Sequence, residues 1–149
     1  MRYLIALVAL AGAVVSSLAL QVHYSTATQP CSINEKWDCG IVNHSSFAVV
    51  GHVPVAAVGI LGYIALGILA IMRQRLALML VAFAGFCFGF RLTMIEQYAL
   101  GVWCLYCAYS QAIISVLLLL AIGWHIAEYV ELRRAVKRVK ASIRLFNED

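Results

Sequence analysis

Four apolar runs, residues 3–22, 53–72, 76–95 and 100–126, take up most of this chain of 149 residues. Each run has about 20 residues or more, the length an α-helix needs to cross ~30 Å of hydrocarbon. Only 12% of the chain is charged, where a soluble domain carries about a quarter. Such a chain cannot cover itself with polar surface, so part of its solvent must be lipid. The expected fold is an all-α membrane protein, a bundle of four transmembrane helices over residues 1–130. A basic tail, residues 131–149, follows as a surface helix.

The polar connection at residues 23–52 separates the first two runs and contains Pro30, Asn34, Lys36 and Asp38. Its second half, residues 41–50, mixes apolar and polar side chains. It is too short to cross and is expected to lie on the bilayer as a half-helix cap. The first run exceeds the roughly 7–15 residues of a signal-peptide core. A retained helix is therefore expected rather than a leader cut near Ser17-Leu18-Ala19. Pro54 falls at the expected first turn of the second span, where a missing N–H costs nothing. Gly51, Gly59, Gly62 and Gly67 are expected to let neighbouring backbones approach closely.

Charge sets the orientation. Of the 11 Lys and Arg residues, all but Lys36 and Arg91 fall on one side of a four-span topology. The positive-inside rule then places both termini in the cytoplasm. No glycine-rich phosphate loop and no basic patch interleaved with aromatics occurs, so nucleic acid is not an expected partner.

The cysteines carry the chemistry. Cys104 and Cys107 stand three apart in Trp103-Cys104-Leu105-Tyr106-Cys107, at the mouth of the last apolar run. On a helix that spacing puts both sulfurs on one face. In a first turn, unpaired backbone N–H groups and the positive end of the dipole favour thiolate. Cys31 and Cys39 lie in the polar connection, on the same non-cytoplasmic side, where disulfides persist. Electrons pass between two such pairs only if their sulfurs touch. A mobile loop pair swinging over a fixed helical pair makes a relay, and a lipophilic quinone is the natural acceptor within a bilayer. Cys87, between Phe86 and Phe88, reads as a buried spectator.

Two other readings belong beside this one. The cysteines could staple the loop of a non-catalytic four-span protein, although a pair three apart closes almost no loop. They could also hold metal with His44 and His52, although the spacing of Cys31 and Cys39 is wider than tetrahedral zinc sites prefer.

The order of these features resembles the vitamin K epoxide reductase family. Cys31 and Cys39 come first, then Ser45, then Gly51-His52-Val53-Pro54, then the WCxxC at Trp103–Cys107. The likeness covers about residues 1–130 and points to a bacterial homologue without a fused thioredoxin-like domain. It implies a thiol–disulfide oxidoreductase of the bacterial inner membrane that supports disulfide formation, with its active site in the periplasm. Cys31 would receive electrons from a thioredoxin-fold partner. Cys39 would exchange with Cys104, and Cys107 would be the thiolate facing the quinone, ubiquinone or menaquinone. Ser45 falls where the family has a serine near the quinone. Val55 stands where the family often has an asparagine that donates to a quinone oxygen; Val cannot donate, and His52 is the nearest substitute. Gln111 stands where vertebrate members have a tyrosine.

Overall fold

The structure, a computed structural model, describes residues 1–25, 31 and 33–147. Pro30 and Ser32 of the polar connection lie outside the described residues. The elements are α1 (Arg2–Tyr24), α2 (Cys39–Asn43), β1 (Val49–Val50), β2 (Val53–Pro54), α3 (Val55–Ile71), α4 (Arg75–Ile95) and α5 (Leu105–Asn147). One π-helical turn, Glu96–Leu100, extends α4. Among the described residues, α1, α4 with that turn, and α5 are long and apolar enough to cross a membrane. Helix α3 is equally apolar but has 17 residues, about 25 Å of rise.

The shortening of α3 has a local cause. Val53–Pro54 pairs antiparallel with Val49–Val50, and Gly51 and His52 between them both have positive φ, 57° and 71°. Positive φ at both central residues is the hairpin turn whose twist matches its strands. Pro54 is thus the residue before the helix rather than part of its first turn. The expected single half-helix over residues 41–50 is also subdivided. Asp38 caps α2 by accepting from the Gly40 and Ile41 N–H groups. After one turn the His44 imidazole donates to the Gly40 carbonyl at 2.8 Å, and the Ser45 hydroxyl donates to the Val42 carbonyl at 2.7 Å. Side chains that satisfy backbone carbonyls in this way compete with helix propagation. A separate 3₁₀ turn, Ser46–Ala48, follows.

Small residues let α1 and α3 pack closely, as membrane helices without a hydrophobic driving force require. The Tyr63 ring lies on Gly12 so closely that a Cβ there would overlap it, and Gly59 faces Ser16. The core cluster joins Ile5, Ala9, Leu66, Leu78 and Leu117 from four helices. Of the glycines expected at interfaces, Gly59 and Gly67 face neighbours, whereas Gly51 and Gly62 meet none within 4 Å.

Helix α5 runs on without a break into the expected tail. From His125 to Lys140 every residue is exposed, so span and surface helix form one rod rather than two pieces. Where the rod leaves the bundle, Arg75 pairs with Glu128 and lies 5.0 Å from the centre of the Trp124 ring.

Candidate active site

The loop and the last helix meet through backbone. The Asn34 side chain accepts from the Lys36 and Trp37 N–H groups, both at 3.0 Å, a local turn that sets the half-buried Trp37 ring 6.0 Å from that of Trp103. The Trp103 N–H donates to the Lys36 carbonyl at 2.8 Å, and the Asp38 N–H donates to the Trp103 carbonyl at 3.1 Å. This parallel bridge places Cys39 and Cys104 each just beyond a bonded residue. The loop pair is therefore docked on the start of the last helix by backbone hydrogen bonds.

Cys31 and Cys39 form a disulfide. Cys104 and Cys107 are free thiols. Cys31, Cys39 and Cys104 share one buried cluster with Val22 and Val42, and Cys107 packs against it.

The helical pair sits differently from a simple first-turn placement. The π turn ends at Gly101, which adopts φ 66°, a left-handed conformation that glycine takes without strain. The chain then runs on to Cys104, one residue ahead of Leu105 where α5 begins. Cys104 thus occupies the cap position, and Cys107 lies in the first turn. The Cys104 sulfur receives the Asn43 Nδ2 donor at 3.6 Å. Hydrogen bonding from the Cys107 side chain holds the Cys104 thiol below its ordinary pKa. Burial and the Glu96 charge oppose this, while the Cys107 and Tyr106 N–H groups assist. A sulfur at a helix start gains from these orphan donors as a capping oxygen does.

Two of these groups were not singled out from the sequence. Asn43 is 6% exposed; its Nδ2 also donates to the Cys39 carbonyl at 2.9 Å, so it touches both cysteine pairs. Its position four residues after Cys39 was a usable signal, since i and i+4 share a helix face. Glu96 is 3% exposed and accepts from the Cys104 N–H at 3.1 Å.

On the far side of Cys107 a cavity of ≈ 370 Å³ opens in the bundle, lined by Cys107, Glu96, Val55, Ser45 and Gln111 among others. That size suits a small-molecule site. The Gln111 Oε1 is buried with no hydrogen-bond partner, and Gly89 leaves the room it occupies, since a Cβ there would overlap it. Gly62, which meets nothing, borders the same space. His52 stands apart: it is exposed on the hairpin turn and does not line the cavity. Among the described residues no three His, Cys, Asp or Glu side chains converge as metal ligands. The imidazoles of His23 and His44 instead stack on each other, with centroids 6.1 Å apart, and His23 donates to the Asn43 carbonyl at 2.5 Å.

Comparison with known proteins gives one family. The model described as the vitamin K epoxide reductase family matches residues 3–122. No curated protein matches the chain.

Proposed function

The chain belongs to the vitamin K epoxide reductase family, a family of membrane redox enzymes, and we propose that it carries electrons from a thioredoxin-fold partner to a quinone. Cys31 is the entry sulfur. The partner's thiolate attacks the Cys31–Cys39 disulfide, and the freed Cys39 then attacks a Cys104–Cys107 disulfide at Cys104. Each exchange passes through a mixed disulfide and moves two electrons. Asn43 supports the Cys39–Cys104 step by donating at both ends. Bound in the cavity, the quinone supplies a two-electron, two-proton acceptor. Ser45, Val55 and Gln111 would line its site, where the unpartnered Gln111 Oε1 would accept a hydrogen bond from the quinol hydroxyl. His52, exposed and off the cavity, is left out of this site. Both termini lie in the cytoplasm and the cysteines face the periplasm in this reading, from the distribution of Lys and Arg.

One observation carries the proposal. An oxidised loop pair and a reduced helical pair are packed together, and Cys107 turns toward an apolar cavity. The test is quinone reduction by the purified protein in detergent, with a reduced thioredoxin-fold protein as donor. Quinol formation that depends on both protein components is expected. Absence of turnover with ubiquinone and with menaquinone analogues would overturn it.

A further inference from the structure

A thiol that joins a disulfide must lose its proton, and the cavity beside Cys107 offers few groups to take it. The titratable side chains on that cavity wall, besides Cys107, are Glu96, Tyr63 and Tyr106. Tyr63 is engaged elsewhere, donating to the Ser110 carbonyl at 2.8 Å. Among the described lining residues Glu96 is the one carboxyl, and no Lys, Arg or His stands beside it.

The placement of Glu96 is specific. It begins the π turn that ends α4, and such turns inside helices recur at functional sites. Its carboxyl group accepts from the Cys104 N–H at 3.1 Å and lines the same cavity wall as Cys107. The two sulfurs therefore have opposite surroundings: donors gather on Cys104, and an acceptor faces Cys107. A carboxyl bonded to the backbone of one cysteine and sharing a cavity wall with the other is placed to take a thiol proton directly or through one water, as a general base does.

We propose that Glu96 is the catalytic base that takes the Cys107 proton when Cys104 and Cys107 close to a disulfide. The inference rests on reading these cysteines as an active redox pair. The step balances. Two S–H bonds break and one S–S bond forms, and two electrons and two protons leave with the acceptor. Glu96 holds the Cys107 proton between its release and that departure, and ends as the carboxylate it was at the start.

The test removes the quinone. The purified protein, reduced at Cys104 and Cys107, is treated with diamide, a small neutral oxidant that accepts two electrons and two protons. Disulfide closure is followed by acid quench, alkylation and mass spectrometry across a pH series. Glu96→Gln keeps an oxygen for the Cys104 N–H but loses the base. It should close about 100-fold more slowly at neutral pH, a typical contribution of a general base. The rate should recover as the pH rises into the thiol range, where hydroxide replaces the carboxylate. Glu96→Asp should restore part of the neutral rate. Closure of Glu96→Gln at the wild-type rate would overturn the proposal. So would a loss that stays constant with pH, which would mark a purely structural role. If closure depends on Glu96 while the wild-type protein reduces no quinone, the quinone reading fails and the base assignment stands.

Discussion

Replacing Asn43 by alanine removes the only side-chain amide that touches both cysteine pairs among the described residues. Its Nδ2 lies 3.6 Å from the Cys104 sulfur and 2.9 Å from the Cys39 carbonyl. A hydrogen bond to a charged group contributes about 1.5–3 kcal/mol. The long contact to a diffuse sulfur places this one near the lower end. One pKa unit corresponds to about 1.4 kcal/mol, so the Cys104 pKa should rise by about one unit. The sign follows from the contact. A hydrogen-bond donor on the sulfur favours its charged form, so losing the Asn43 amide moves the Cys104 pKa up. At any pH below both values the thiolate fraction falls about tenfold, and above both the difference vanishes. The measurement is an ultraviolet thiolate titration in a Cys87→Ala, Cys107→Ser background, where the serine keeps a hydroxyl beside Cys104. An unchanged midpoint on Asn43→Ala would refute the role given to this amide.

Other substitutions probe other parts of the structure. Cys107→Ala should abolish quinone reduction while Cys87→Ala leaves it intact, because Cys87, exposed on α4 rather than buried as its phenylalanine neighbours suggest, takes no part in the cysteine cluster; equal losses in the same assay would remove the distinction. Cys31→Ala leaves Cys39 without its partner and should accumulate a Cys39–Cys104 disulfide, detectable by peptide mass spectrometry. A Cys39 paired only outside the chain would count against the relay. Gly12→Ala places a Cβ into the Tyr63 ring and should destabilise the bundle by about 1–3 kcal/mol, the usual cost of overpacking. Thermal unfolding in detergent should show it, and a melting temperature equal to wild type would contradict the close α1–α3 contact.

Much of the helical framework is legible in the residue pattern because lipid imposes a simple requirement. Apolar runs of span length have few alternatives to helix in a bilayer, and the runs at residues 3–22 and 76–95 fall within α1 and α4. Boundaries are less legible where side chains act on the backbone. The Gly51-His52 turn delays α3, and His44 and Ser45 end α2 early. The tail is expected as a surface helix, and the structure joins it to the last span as one rod, since the polar switch near Glu128 changes the solvent without breaking the backbone hydrogen bonds.

Taken alone, the order and spacing of Cys31, Cys39, Cys104 and Cys107 determined the family resemblance and the redox chemistry to look for, because thiol exchange has few residue requirements. Tertiary structure decided which groups surround each sulfur. Asn43 is distant in sequence from Cys104, and Glu96 reaches the Cys104 N–H because a π turn and a left-handed glycine fold the chain back. Contacts of this kind depend on how helices pack, and no local pattern of residues encodes them.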